Sequence, residues 1–376
     1  MHLSRRDVLS AAAAGALGAI HLVGGRSAAD DKKPRLKIGQ IGIGHAHATK
    51  LSVYRDSPDW EVVGLVEPNK ELRERAKEQP AFRNLPMMTE EQLLNTPGLA
   101  AVLVETRVRD LLSTAQRCID AGKHIGLDKP AGESLPQYRK LLDAAEKKKL
   151  LVQMGYMYRY SPAVIILRQF LKEGWLGDLF EVDTVMSKVS SDADRIGFAQ
   201  YPGGIMFELG CHVIDLVIGV LGKPDRIHAF PRHSAKQNDG LPDNMLAVFE
   251  YPKATATVRS SCEEVDGFAR RHFVVCGTSG TFHIQPLDSP AIRLTLDRDR
   301  GDSKDTVGRG SPDPAQTAYK RGTHDITLPK FTRYTADAAD MARIIRGEKE
   351  ADFSYTHDLT VQETVLRASG LSVPPR

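Results

Sequence analysis

The sequence predicts an α/β protein of two domains: an N-terminal doubly wound parallel sheet and a C-terminal α/β domain built on an open, mostly antiparallel sheet. Three observations predict it. Apolar runs alternate with helical stretches from Leu36 to Gly155, a glycine-bearing turn follows the first run, and after Pro162 the strands succeed one another with few helices between them. At 376 residues the chain is long enough for two cores. With 41% hydrophobic and 26% charged residues it reads as an ordinary globular protein, neither disordered nor a membrane bundle.

Residues 1–29 form a separate unit. Ser4-Arg5-Arg6-Asp7-Val8-Leu9 precedes an apolar run from Ala11 to Gly25 and then Ser27-Ala28-Ala29, the order of a twin-arginine export signal with a small-residue cleavage site. The run is too short and too weakly apolar to favour a membrane anchor, so an extracytoplasmic, periplasmic location is expected and no stable span after cleavage. Removing three arginines and one aspartate with that segment takes the net charge from +3 to +1, and nothing then suggests a nucleic-acid partner. Cys118, Cys211, Cys262 and Cys276 have neither C-x-x-C nor zinc spacing and read as small buried hydrophobes.

The first domain is expected over residues 35–155. Leu36, Ile38, Ile41 and Ile43 mark a buried strand, followed by Gly42-Ile43-Gly44-His45-Ala46. Glycines there let backbone approach a pyrophosphate at a helix start, so these five residues are candidate cofactor contacts. His47 stands where a third glycine is usual. His45 and His47 find no carboxylate or cysteine at ligand spacing, so no metal is expected. Trp60–Glu67 is a second strand ending in an acid 23 residues after Gly44, where a carboxylate receives a ribose diol and repels a 2′-phosphate. NAD is therefore expected, with NADP as the alternative; the plainer role for Glu67 is a solvated strand-end charge. Further strands are expected at 99–104, 124–127 and 150–155, with helices at 111–121 and 135–149. The third strand leads to Thr106 and the fourth to Asp128-Lys129-Pro130, so both ends face the ligand crevice of such a sheet.

The second domain, 156–370, begins with a helix at 162–173. Strands are expected near 180–187, 245–251, 254–261, 272–276 and 281–285, a surface excursion at 298–325, and closing helices at 335–346 and 357–369. An open sheet face favours a homo-oligomer. Glu208, His212 and Asp215 stand at i, i+4 and i+7 of an otherwise apolar helix and so share a face. Either His212 and Asp215 satisfy each other at a helix–sheet junction, or His212 transfers a proton at a substrate hydroxyl with its ring tuned by a neighbouring carboxylate.

Several motifs together resemble the glucose-fructose oxidoreductase and inositol dehydrogenase (Gfo/Idh/MocA) family. They are Gly122-Lys123-His124-Ile125 leading to Asp128-Lys129-Pro130, Gly155-Tyr156 through Arg159-Tyr160-Ser161-Pro162, Gly174-Trp175-Leu176-Gly177, and Gly203-Gly204 through Gly210, His212 and Asp215. The resemblance implies a Rossmann domain, an open-sheet substrate domain and a nicotinamide cofactor, with contacts extending to Thr106, Asp128 and Lys129. It places the catalytic lysine on Lys129 and the acid–histidine pair on Glu208 and His212. The expected substrate is a sugar, polyol or glycoside. Asp128 replaces the family's usual glutamate, Glu208 its usual aspartate, and Thr106-Arg107 with Leu111 replaces its usual T-P and histidine. Tyr158, Arg195 and Asp215 are further substrate candidates, Tyr158 being equally readable as packing. Because exported protein meets little free nucleotide, a retained cofactor in a redox-neutral cycle is expected, or transient oxidation of a glycoside ahead of elimination. A non-catalytic carbohydrate-binding protein on the same scaffold is the remaining reading.

Overall fold

The computed structural model of the protein describes residues 33–301 and 317–373. The expected export signal, 1–29, lies outside them. Five parallel strands, β1 (Leu36–Ile41), β2 (Trp60–Val66), β3 (Leu99–Val104), β4 (His124–Leu127) and β5 (Val152–Met154), form the first sheet in the order β2-β1-β3-β4-β5. The order reverses between β1 and β3, which opens a crevice at the strand carboxyl ends. Strands of this kind are buried on both faces, and β3 shows it: Ala101 to Val104 are all 0% exposed. Helix α4 (Val108–Asp120) covers the sheet with Val108, Leu111, Leu112, Ala115, Cys118 and Ile119, one stripe at helical spacing. Leu111 is thus a core residue.

The turn after β1 feeds a short Ala48–Lys50 3₁₀ segment and then α1 (Leu51–Asp56), only six residues, rather than a long helix. Between β2 and β3 run α2 (Lys70–Glu78) and α3 (Glu90–Leu94), the latter started by a capping box in which Thr89 and Gln92 exchange hydrogen bonds. Helix α5 (Leu135–Lys147) is capped by Ser134 and returns the chain to β5.

Helix α6 (Pro162–Lys172) leads into the second sheet of eight described strands: β6 (Leu179–Ser187), β7 (Arg226–Arg232), β8 (Asn244–Glu250), β9 (Thr255–Ser261), β10 (His272–Gly277), β11 (Gly280–Ile284), β12 (Ile292–Leu296) and β13 (Gly322–Ile326). Their order is β13-β12-β11-β10-β6-β9-β8-β7; only β6 and β9 run parallel. Helices α8 (Cys211–Leu221) and α11 (Tyr355–Ala368) cover one face. Phe230, Leu246, Val248 and Val274 stay partly or largely exposed on the other.

Two departures from expectation have physical causes. The excursion at 298–325 holds an edge strand, since Gly322–Ile326 pairs with Ile292–Leu296 and Arg300 bridges to Tyr319. Its inward positions before the buried Ile326 are a glycine and a half-buried histidine, so no apolar alternation announces it. Helix α10 (Thr335–Ile345) returns to the first domain: Ala338, Met341 and Ala342 join the core of Ile38, Leu51 and Trp60, and Trp60 Nε1 donates to the Ala338 carbonyl at 2.9 Å.

Asp337, in the first turn of α10, lines a small cavity with Lys50, Gln153 and Tyr334, and its Oδ1 has no partner. Burial pushes its carboxyl up to about 7. The folded chain holds this proton more tightly than the unfolded chain, so stability falls as pH climbs from about 4 to about 7. Asp337→Asn cannot ionise. Thermal melts are expected to show it more stable than the parent at about pH 8, by a margin on the order of 4 kcal/mol at most that vanishes near pH 4.

Candidate active site

The crevice is floored by the turn after β1. Gly42 has φ +90, and a Cβ there would lie 2.7 Å from the Thr106 amide, so the β1 and β3 ends touch only because the residue is glycine. Gly44 and Ala46 are exposed, and among the described residues their amides have no backbone partner. Ile43 donates its N–H to Glu67 Oε2 at 2.8 Å, while Glu67 Oε1 accepts from the Asn69 amide at 2.8 Å. Glu67 is therefore neither solvated nor free: it is buried and ties the glycine turn to the end of β2. Thr106 is half-buried, its hydroxyl on the Arg107 carbonyl. This cradle of small residues, exposed amides and an acid fits a dinucleotide.

At the end of β4, Asp128 is wholly buried and works as a hub. Its Oδ1 accepts from the Lys129 amide at 2.6 Å and from His47 Nδ1 at 3.2 Å; its Oδ2 lies 3.0 Å from His45 Nδ1 and 3.3 Å from Lys50 Nζ. Burial opposes the charge, but His45, Lys50 and His47 outweigh it and hold the Asp128 carboxyl well below the usual range. Lys50 Nζ also approaches Glu105 Oε1 at 2.6 Å, a charge contact without hydrogen-bond alignment. Burial, with Asp128 beside it, pushes the Glu105 carboxyl well up. The sequence reading set metal aside for want of a carboxylate near His45 and His47. That reason fails, because the fold brings Asp128 to both. The cation found beside this carboxylate is the Lys50 ammonium.

Lys129 follows Asp128 and is 1% exposed. Its Nζ donates to the Glu208 carbonyl at 2.6 Å and to Glu208 Oε1 at 3.0 Å. Burial alone would lower its pKa; Glu208, Cys211 and Asp128 reverse that, so the ammonium stays charged. An ammonium carries three donors, so one remains after Glu208 has taken two.

Glu208 sits in a π-helical turn, Met206–Gly210, immediately before α8. This wider turn breaks the regular spacing from Glu208 to His212 and Asp215, and the three do not act as one face. Glu208 meets Lys129. His212, 2% exposed, lies among rings: Tyr158 edge-on at 5.5 Å between centroids, His47 at 5.8 Å and Tyr156 at 6.2 Å. Among the described residues its buried Nδ1 has no partner, and neither has Glu208 Oε2. Burial, then Lys129 and His47, hold the His212 ring neutral, well below its usual range.

Asp215 does not pair with His212. It receives Arg159 Nη2 at 2.6 Å and lies 3.4 Å from His357 Nε2, while Arg159 also reaches Asp358 at 2.6 Å. Arg195 is likewise spent inside the protein, on Asp239 (2.7 Å), Asp243 (2.9 Å) and Glu263 (2.5 Å). Both expected substrate contacts are thus engaged by the protein's own charges, Asp215 wholly inside it and Arg195 in a cluster whose Glu263 is exposed. Tyr158 is buried and its hydroxyl donates to Asp288 Oδ1 at 2.8 Å, so it meets the site through its ring edge. Asp288 also pairs with Arg271 at 2.9 Å and with Arg333. Sequence reasoning assigned no role to Lys50, Glu105, Tyr156, Asp288 and Tyr334. Glu105, the acid that follows β3, and Tyr156, within a quoted motif, carried visible signals.

Both halves of this architecture match models of one family. The oxidoreductase family model with an NAD-binding Rossmann fold covers residues 36–156, and the GFO/IDH/MocA C-terminal domain model covers 164–283. The chain belongs to the Gfo/Idh/MocA family. Similar proteins include the uncharacterized oxidoreductase YhhX of Escherichia coli, 24% identical over 62% of this chain and 66% of that one. Another is trans-1,2-dihydrobenzene-1,2-diol dehydrogenase of Bos taurus, 27% identical over 47% and 53% respectively. This family member thus spans about half to two thirds of the length of these relatives. Among solved structures, aldose-aldose oxidoreductase from Caulobacter crescentus, complexed with glycerol, superposes with a TM-score of 0.69 at 19% identity, over 90% of this chain and 98% of that one, a likeness of fold.

Proposed function

We propose that this Gfo/Idh/MocA protein is an NAD(P)-dependent oxidoreductase that moves a hydride from a secondary alcohol of a sugar, polyol or glycoside. The observation that carries the reading is the buried Lys129 ammonium, which has one donor beyond the two that Glu208 takes, together with Glu208 Oε2 and, one turn further along, His212 Nδ1, both buried without partners among the described residues. Buried polar atoms without partners are costly, and a polyhydroxy substrate supplies both donors and acceptors. His212, neutral, takes the hydroxyl proton. Lys129, charged, donates to the oxygen as alkoxide character develops. Glu208 anchors the lysine through Oε1 and accepts a neighbouring hydroxyl through Oε2. Residues 42–46 and Glu67 would hold the pyrophosphate and ribose of a nicotinamide dinucleotide, which when bound would supply the hydride acceptor.

Glu67 favours NAD over NADP in this reading. A twin-arginine signal, read from residues 4–29 of the sequence alone, would suit a protein working outside the cytoplasm with a retained cofactor that is recycled on the enzyme. The names of similar proteins, a diol dehydrogenase and an aldose-aldose oxidoreductase, are in keeping with it. Transient oxidation that permits elimination of a glycoside uses the same three residues. The open sheet face carrying Phe230 and Leu246 suits a second copy of the chain, which light scattering of the purified protein would register as a dimer or larger species; a monomer would remove that part.

Denaturing the purified protein and identifying the released nucleotide by mass tests the cofactor claim. Stoichiometric NAD is the expected result, whereas a protein that neither carries nor binds a nicotinamide nucleotide would be a carbohydrate-binding protein on this scaffold.

A further inference from the structure

The charges beside Tyr158 do not balance. Arg195 has three carboxylates for one guanidinium. Around Asp288 the proportion is reversed, and two guanidiniums share one carboxylate. Asp288 Oδ2 accepts from Arg271 Nη1 at 2.9 Å, while its Oδ1 accepts from Arg333 Nη2 and from the Tyr158 hydroxyl, the latter at 2.8 Å. Among the described residues no second carboxylate comes within ion-pair reach of either arginine. One positive charge is therefore left over.

The surplus falls on Arg333. Arg271 is 3% exposed and engaged on several sides: its Nε donates to the Ser187 carbonyl at 2.9 Å, and its guanidinium lies 3.8 Å from the centroid of the Phe268 ring. Buried Leu287 donates its amide to the Arg271 carbonyl at 3.1 Å, which holds the neighbouring Asp288 against this arginine. Arg333, by contrast, has a side chain 39% exposed. Of the five N–H donors in its planar fork, one is committed to Asp288 among the described residues.

This cation belongs to the crevice around His212. Tyr158, which shares Asp288 with Arg333, presents its ring edge to His212 at 5.5 Å between centroids. Tyr334, the next residue along the chain, lies 6.1 Å from the His47 ring, which in turn lies 5.8 Å from His212. Residues 333 and 334 thus bridge the two rings that flank His212. Tyr334 does so at φ +68, a left-handed conformation that bulky side chains rarely adopt. After burial, Lys129 and His47, Arg271 also helps to hold the His212 ring neutral, so charge at this end of the crevice is felt at the reaction centre. Lys129 is balanced there by Glu208 and Arg271 by Asp288, which leaves Arg333 for a ligand.

Resting on the hydride-transfer reading above, we propose that the sugar taken by this site carries an oxyanion, a carboxylate or a phosphate, which Arg333 receives while the hydroxyl to be oxidised lies at Lys129 and His212. A guanidinium fork matches either group with two parallel hydrogen bonds. The oxyanion takes no part in the bond changes; it orients the sugar so that one hydroxyl, and not its neighbours, meets the lysine.

The full-length parent, Arg333→Gln and Arg333→Lys are compared on D-glucose and D-galactose, their uronates and their 6-phosphates. Reduction of the bound nicotinamide is followed by absorbance, and binding by saturation-transfer NMR, which needs no turnover. The parent is expected to prefer uronates or 6-phosphates over the neutral sugars by about 10-fold or more, less so as salt is raised, and whichever anion is preferred identifies the group. Glutamine leaves Asp288 neutralised by Arg271, so the variant is expected to fold. It is expected to lose about 10- to 10²-fold of the anion preference, and lysine to retain part of it. A parent without preference for either anion overturns the proposal. So does a glutamine variant whose preference equals the parent's, or one that weakens on neutral and anionic sugars alike, since Arg333 would then be structural. Anions that bind with the expected preference while no sugar reduces the nicotinamide would leave the oxyanion site standing and sink the hydride-transfer reading alone.

Discussion

Lys129→Met is expected to leave the cofactor in place and to slow hydride transfer by about 10³-fold. Methionine matches the length of the lysine stem but removes the one group that can donate to a developing alkoxide. The substitution also strands Glu208, whose carboxylate is 6% exposed and whose Oε1 then loses its partner. The single variant is therefore expected to melt at lower temperature than the parent. A Lys129→Met/Glu208→Gln double variant relieves the stranded charge, so stability recovers while the rate does not. Rate recovering along with stability would make Lys129 a structural lysine. Released nucleotide, thermal melts and turnover of the bound cofactor read the three quantities separately.

Asp215→Ala carries the largest expected effect on stability. It removes one of the two carboxylates that hold the buried Arg159 guanidinium, which also lies 4.0 Å from the centroid of the Phe353 ring. Breaking a buried pair from one side costs about 3–5 kcal/mol because the remaining charge is left in a medium that cannot solvate it. Denaturant midpoints measure this. Protein that remains folded is expected to keep the parent's substrate KM, since Asp215 faces Arg159 and not the crevice. A variant of normal stability with a raised KM would return Asp215 to the list of substrate contacts.

These two residues illustrate what the sequence made legible. Lys129 was legible because it follows a strand of a doubly wound sheet, and the carboxyl ends of such strands face the crevice whatever the side chains elsewhere. Gly42 and Glu67 were legible for the same reason: topology fixes where they lie. Asp215 was misread because helical spacing was assumed to be regular from Glu208 onward, and a π-helical turn interrupts it. The partners of Arg195 were not legible because the carboxylates that hold it come from 44 to 68 residues away. Asp128 joined to His45 and His47 spans about 80 residues, and no spacing rule reaches that far. Helix α10 is a further case: its apolar stripe announces a buried face but not which domain buries it, and it is the first domain that does.

One measurement bears most directly on the account: purified full-length protein, with no nucleotide added, is mixed with a panel of sugars, polyols and glycosides while the absorbance of its bound nicotinamide is recorded. The account predicts that at least one carbohydrate changes the redox state of the bound cofactor in the parent and that the change is lost in Lys129→Met and in His212→Ala, both still carrying nucleotide. A spectral change of equal rate in all three proteins would contradict it.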